Sequence, residues 1–300
     1  MPTVRELKED MRFNTELIEL LDVMKNIAIF RFRALQRKKQ RFEAFSRTLA
    51  DFFEIIGRRG TDHFLMKAGI EKTCIIFITS DEGFMGGLNL RVIDRALADP
   101  RSGDALLVAV GTRGMRYLKE IGRKFTAAPA FSGYELALRL KDFIIKGAGE
   151  GLFGRVFVSY PRPISFMTQR VEITQVLPMS MLSRGREAPE GIASSVPAPP
   201  PRNDSLKKGL ASNDEVIIES PLDGIIEYLV EETLLVKLTE ILEDSKMSEF
   251  AARAIHLESS SRELDSKKKN LRLQYFRAYH GVIDKNTREL FSTQLIRRKG

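Results

Sequence analysis

The chain has no tryptophan and a single cysteine, Cys74. One thiol excludes an intrachain disulfide and a zinc site built from cysteines, and it fits a reducing compartment. The histidines, His63, His256 and His280, fall in separate regions without HxxxH or HxxE spacing, so no metal site is expected. No apolar run approaches the roughly 20 residues needed to span a bilayer. The opening MPTVRELKEDMRF is charged and lacks the apolar core of a signal peptide, which predicts a soluble protein that touches membranes only through partners or its surface. An acidic excess is missing as well. Lys plus Arg total 48 against 40 Asp plus Glu, a net +8 that favours an acidic partner or surface, nucleic acid and anionic headgroups included.

The absence that bears most on the fold concerns helix breakers. Residues 1–56 hold no glycine and only Pro2; beyond Pro221 there is no proline, and glycine occurs only at 224, 281 and 300. Both ends therefore read as long uninterrupted helices. A helix over about fifty residues spans about 80 Å at its 1.5 Å rise, more than a compact domain needs. Two of them flanking a middle segment predict a stalk. Its arms, over 1–57 and 215–300, form an antiparallel coiled coil with a head inserted between them.

The first arm carries Val4, Leu7, Met11, Ile18, Leu21, Met24 and Ala28 at steps of three, four and seven, the spacing of a coiled-coil seam. Leu17, Leu20, Val23 and Ile27 widen the stripe. Arg31–Arg47 is basic and punctuated by phenylalanines; it can follow a nucleic-acid backbone, although aromatics at helical spacing are more often packing residues. Gly57-Arg58-Arg59-Gly60 supplies a helix stop. The second arm carries Ile225, Leu229, Leu234, Leu235, Leu238, Ile241 and Leu242, and later Ala251, Ile255, Leu264, Leu271 and Tyr275.

Between the arms the period changes. Cys74–Thr79 and Ala105–Val110 are continuous apolar runs bounded by turn residues and read as buried strands. Leu88–Ala98, Thr112–Ile121 and Tyr134–Lys146 read as helices, and Arg155–Tyr160 and Val171–Val176 as further strands, the last an edge. Strand–helix alternation predicts a mostly parallel sheet covered by helices, an α/β head over 70–182. Residues 183–214 are rich in Ser, Pro and Ala and bury too little apolar surface to offset their ordering entropy, so they read as a flexible insertion. Val216–Glu219 reads as a short strand, and Pro221 opens the second arm.

Candidate chemistry is sparse. Ser80–Asn89 sits where a strand meets a helix, the usual ligand position in open α/β sheets. Its glycines permit close backbone approach, but it is neither GxxxxGK[ST] nor GxGxxG, and Asp81 and Glu82 repel phosphate. Cys74 reads as a small core residue. The carboxylates read as solvated helix faces beside Lys and Arg. No catalytic constellation, cofactor site or metal site is expected.

Four stretches together resemble the γ subunit of F-type ATP synthases. Ile78–Asn89 is similar to the family's ITSDRGLCGGLN, and Val4–Lys8 with Asn14-Thr15 and Met24 to its LREIK…NT…M opening. Phe157–Tyr160 with Gln169 and Leu177-Pro178 resembles its third-strand region, and Leu235–Arg253 its LLES-KASEHAARM segment. The resemblance implies a Rossmann-like head on a coiled-coil shaft and a non-catalytic rotor. That rotor couples proton or sodium flow to ATP synthesis or hydrolysis at β subunits. Its implied partners are α and β subunits of the catalytic hexamer, an ε subunit and the membrane c-ring, with no nucleic acid and no small-molecule substrate. The implied location is the cytoplasmic face of the inner membrane, peripherally. The matching positions imply interaction roles for Met24, Arg31, Gly83, Gly86, Gly87, Asn89, Glu249, Ala252 and Arg253.

The chain departs from the pattern in three places. The family's ITKAMK becomes Ile18–Val23, its alanine run becomes Asn26–Phe30, and its small apolar tip becomes the basic Gln294–Gly300. These departures leave open a rotor of a variant ATPase with its own α and β subunits, or a paralogue that has left rotary work. The competing classes are a non-rotary coiled-coil module whose basic arm contacts nucleic acid, and a nucleotide-using enzyme at Ser80–Asn89.

Overall fold

The computed structural model describes residues 2–57, 63–66, 70–128, 133–179 and 222–297. The expected 183–214 insertion, the strand at 216–219, Pro221 and the last three residues of the tip lie outside these, as do residues 58–60 of the helix stop.

The elements follow in the order α1 (Val4–Gly57), β1 (Thr73–Ile78), α2 (Leu88–Leu97), β2 (Leu106–Val110), α3 (Thr112–Glu120), β3 (Thr126–Ala127), α4 (Tyr134–Gly149), β4 (Arg155–Pro163), β5 (Gln169–Leu177) and α5 (Leu222–Arg297). The terminal helices run for 54 and 76 residues, as the lack of Gly and Pro predicts. The chain divides into two compact units, residues 31–252 and the pair 1–30 with 253–300.

The larger unit is a layered α/β domain. Its sheet has the order β3-β2-β1-β4-β5, with β1 to β4 parallel and β5 antiparallel at one edge. Every residue of β1 is buried, because helices cover both faces of the sheet. On one face Ile75, Phe77, Leu107, Ala109 and Phe157 pack against Ile93 and Ala96 of α2 and Leu118 of α3. On the other, Cys74, Ile76, Val108, Val156 and Val158 meet Leu140 and Ile144 of α4. The same core takes in Ile226, Val230, Leu234, Leu238 and Ile241 of α5, so this part of the helix is a core helix of the sheet rather than a two-helix seam. Sequence spacing missed β3, which is two exposed residues long and pairs with β2 only at Val108 and Ala109. β5 is the expected edge, but it does not alternate cleanly; its residues are mostly half-buried.

The smaller unit is a two-helix coil. Leu7, Asn14, Leu21 and Ala28 of α1 are buried at seven-residue intervals, with Met11, Ile18 and Lys25 half-buried between them. On α5 the covered positions Ala254, Leu257, Ser261, Leu264, Lys268, Leu271, Tyr275 and Ala278 alternate by three and four. Lys25 bonds Glu258 at 2.8 Å, and Ser261 faces Asp22 at 3.5 Å. Three residues back along α1 corresponds to three residues forward along α5, so the helices are antiparallel. The seam is narrower than its sequence suggests. Leu20, Val23 and Ile27, expected to widen it, are each about half exposed or more, because a two-helix contact covers only the a/d stripe.

Candidate partner interface

The turn after β1 is held by its own side chains. Thr79 Oγ1 donates to Val110 O at 2.6 Å and accepts from the Gly114 N–H at 3.1 Å. The Ser80 N–H donates to Asn89 Oδ1 at 3.1 Å, and Asn89 Nδ2 donates to Ser80 Oγ at 2.8 Å. Asn89 therefore ties the start of α2 back to the end of β1. The Thr112 N–H donates to Asp81 Oδ1 at 2.9 Å, which places a carboxylate on the N-terminus of α3. That is where an anion would gain most from the helix dipole and free amides. The site supplies its own anion, so the turn is closed as a phosphate cradle at that helix.

The glycines of this turn differ in what they do. Gly86 has φ +57, a left-handed conformation that other residues adopt at a cost. A Cβ on Gly83 would lie 3.0 Å from Arg113 Nη2, whereas one on Gly87 would meet nothing within 4 Å. Phe84 also has positive φ, at 63°, and is more than half exposed. Met85 points inward and packs with Leu88 and Ala252. The fold thus brings the turn and the α5 segment, two of the stretches singled out in the sequence, into contact through Met85 and Ala252.

Around that contact α1 and α5 are cross-linked by charge. Lys39 pairs with Asp244, which is almost fully buried, and Lys38 Nζ lies 2.7 Å from Glu243. Lys246 reaches Glu249, itself buried, at 3.1 Å. The Arg31 guanidinium stands 5.6 Å from the centre of the Phe250 ring, and Phe32 meets Phe166 of the β4–β5 hairpin edge-on at 5.0 Å. The sequence reading placed the carboxylates on solvated faces. Asp244 and Glu249 correct it: both lie inside, because α5 is covered on all sides along this stretch. Lys39, the partner of Asp244, gave no local signal, since the two are 205 positions apart, whereas Lys246 sits three residues before Glu249 on the same helix.

Met24 and Arg253 belong to the coiled-coil unit, the first half-buried and the second buried. Next to Met24, the Lys25 amine is pushed up by its bonds to Asp22 and then Glu258, and the Glu258 carboxyl is held down by Lys25 and then Arg262. Away from the seam, and on α5 beyond its last covered position, large apolar side chains stand exposed among charged ones. Phe13, Leu20, Val23, Ile27 and Phe30 of α1 are 49–67% exposed, and Leu273, Phe276, Val282, Ile283, Leu290 and Phe291 of α5 are 41–65% exposed. Beyond Gly281 every described side chain of α5 is exposed.

Chemistry is correspondingly thin. Among the described residues no group of His, Cys, Asp and Glu could hold a metal ion. Burial pushes the Cys74 thiol up to about 12, so it is a packing group and not a nucleophile. A cavity of about 380 Å³ lies at the C-terminal ends of β1 and β2, but its walls mix Lys38 and Lys246 with Asp81, Glu243 and Glu249. No helix among the described residues is long and apolar enough to cross a membrane.

A family profile described as ATP synthase matches residues 3–292. The chain belongs to the ATP synthase γ-chain family. Its relatives include the sodium ion specific ATP synthase gamma chain of Acetobacterium woodii, 21% identical, with 96% of each chain covered. The gamma chain of Ruminococcus albus is 24% identical over 98% of this chain and 99% of the relative, and that of Geotalea daltonii 25% identical over 86% and 87%. Among solved structures, a chain of the Euglena gracilis mitochondrial ATP synthase OSCP/F1/c-ring assembly matches with a TM-score of 0.61 at 14% identity, covering 97% of this chain and 93% of that one. A chain of the Tetrahymena thermophila ATP synthase central stalk and c-ring matches at 0.54 and 18%, covering 81% and 99%. The γ-chain fold, two terminal helices packed together around an inserted, mostly parallel sheet, is the fold seen here. As a γ chain it is a rotor subunit of an F-type ATP synthase, and the nucleic-acid module finds no support in these matches.

Proposed function

We propose that the chain is the non-catalytic shaft of its synthase, turning inside a hexamer of α and β subunits with its head on the c-ring and against an ε subunit. The carrying observation is the row of large apolar side chains left exposed on both terminal helices, Phe13, Leu20, Val23, Ile27 and Phe30 on α1 and Leu273, Phe276, Leu290 and Phe291 on α5. Exposed apolar surface of this kind marks a site of protein contact, and an enclosing sleeve of subunits would cover it on both helices. Ion flow, of protons or sodium, turns the ring and the shaft with it. Because the coil is asymmetric, each β subunit meets a different face and is biased toward a different affinity, a population shift driven mechanically. The complex would hold the chain peripherally on the cytoplasmic face of the membrane.

The interaction positions divide by exposure. Arg31, Gly86 and Gly87 are exposed, and Met24 and Gly83 half-exposed, so these meet partners directly. Asn89, Glu249, Ala252 and Arg253 face inward or are partly covered and act by holding the turn and α5 in place. The coil of residues 1–30 with 253–297 serves as shaft, and the sheet domain, with the part of α5 packed in its core, as head. The test is affinity purification of the tagged protein from its own membranes in mild detergent, followed by mass spectrometry. Recovery of α, β, ε and c subunits in fixed stoichiometry supports the rotor. Recovery of the chain by itself, from membranes that contain those subunits, refutes it.

A further inference from the structure

The α2–α3 layer carries a face with a net excess of cations. Residues 88–127 hold eight basic and four acidic residues, so this stretch contributes +4 of the chain's +8. Arg91 and Arg95 are exposed on α2, one turn apart, opposite the buried Val92, Ile93 and Ala96. Arg113, Arg116 and Lys119 are exposed on α3, and Arg123 and Lys124 on the turn that follows. Tyr117 Oη donates to Asp94 Oδ1 at 3.3 Å, which sets the two helices side by side. Arg101, by contrast, is satisfied: it binds Asp99 at 2.6 Å and stacks on Phe157 at 3.8 Å. Among the described residues none of the seven exposed cations makes a contact salt bridge; the Asp99 carboxyl is held down by Arg101 and, at longer range, by Arg95.

We infer that this face docks an acidic protein segment. The inference rests on the chain acting within a larger assembly, but not on which subunit is met. Five of the seven cations are arginines, whose planar forks pair with carboxylates two bonds at a time and which are enriched in protein interfaces. Asp94 and Glu120 lie exposed among them, a pattern that suits a partner of mixed residues and opposes the uniform phosphate charge of nucleic acid or lipid. No exposed aromatic ring stands on α2 or α3 to stack a base, since Tyr117 is half-buried and committed to Asp94. Leu90 and Ile121, each 42% exposed, supply apolar contact within the same surface.

Lys119 and Lys124 make the face readable. A zero-length carbodiimide joins a lysine amine only to a carboxylate already at salt-bridge distance. It is applied to intact source membranes before solubilisation, and cross-linked peptides are identified by mass spectrometry. The expected result is Lys119 or Lys124 joined to Asp or Glu of another protein. The yield should fall about tenfold in Arg95→Glu/Arg116→Glu, the effect of exchanging attraction for repulsion at two sites. It should fall less in Arg95→Gln/Arg116→Gln, and in about 0.5 M salt, where screening shortens to a few Å. Melting curves of both variants, unchanged, show that the fold is intact. Absence of cross-links at both lysines, while lysines elsewhere in the chain react, overturns the inference. So does binding of this face to phosphatidylserine vesicles or single-stranded DNA that the glutamate variant abolishes, with no protein cross-link found. A cross-link to a protein outside the synthase keeps the inference and removes the rotor reading; co-purified synthase subunits without the cross-link do the reverse.

Discussion

Replacing Gly111 with alanine should destabilise the head through one atom. Gly111 has φ +90, and a Cβ placed there would lie 2.2 Å from the Thr79 carbonyl oxygen and 2.9 Å from Thr79 Oγ1. Ordinary contact begins near 3.4 Å, so the two backbones must separate by more than an ångström. The obstacle is backbone, and it is anchored: the Thr79 N–H donates to Val110 O at 3.0 Å, and Thr79 Oγ1 bonds the same oxygen. The backbone conformation costs about 1–2 kcal/mol for a residue with a Cβ, and forced overpacking about 1–3 kcal/mol. Together these predict a loss of about 2–5 kcal/mol, a large share of the roughly 5–15 kcal/mol that holds a domain folded. Urea denaturation measures it, with the Cys74 thiol, fully buried in β1, reporting on the head alone. Gly103→Ala is the control: its glycine already has helical φ and open space, so it should be neutral or gain about 0.4–1 kcal/mol. A Gly111→Ala protein within about 1 kcal/mol of the parent would refute the steric argument.

The remaining expectations concern the arms and the buried groups. Met24→Pro removes a helix hydrogen bond and clashes with the preceding turn, costing about 3 kcal/mol or more. Assembly should fail while Cys74 stays protected in the head, and loss of that protection would contradict a self-standing head. Asp244→Ala strands Lys39 and should cost about 3 kcal/mol, whereas Lys39→Leu/Asp244→Leu should recover most of it by urea titration. Equal losses in both would show that the pair is not coupled. Glu258 has a lowered folded pKa, so its contribution is present above its ordinary value of 4.5 and lost as pH falls below it; Lys25, raised from 10.5, loses its contribution as pH climbs past that value. Helicity of the coil should therefore fall less steeply below pH 4.5 in Glu258→Gln than in the parent, and identical acid profiles would discount the pair. Cys74, with its thiol near 12, should resist iodoacetamide at pH 8 until the head unfolds, and rapid native labelling would contradict its burial.

The sequence by itself determined the elements whose physics is local. An unbroken stretch without Gly or Pro can only be satisfied along its own axis, so both terminal helices were legible to within a few residues. The apolar runs at 74–79 and 105–110 announced strands buried on both faces, and the steps of three, four and seven from Leu7 to Ala28 announced a seam. The Ser80–Asn89 turn was legible as a strand-to-helix junction and, through its glycines and Asn89, as a family signature. Tertiary structure decided what depends on partners distant in the chain. Only the folded pairing of α1 with α5 showed that Asn14 is inside the seam while Leu20, Val23 and Ile27 are outside it, because a helix has apolar residues on more faces than two helices can cover. Only the packing of α5 against distant parts of the chain, Lys39 of α1 among them, buried Asp244 and Glu249, carboxylates that in sequence look like any others on a charged helix. Asp81, which sequence cast as a charge hostile to phosphate, became the cap of α3 once β1 and β2 stood side by side. Periodicity fixes which way a side chain leaves its own helix or strand; what it meets there depends on residues brought in from elsewhere in the chain, and no local pattern encodes that.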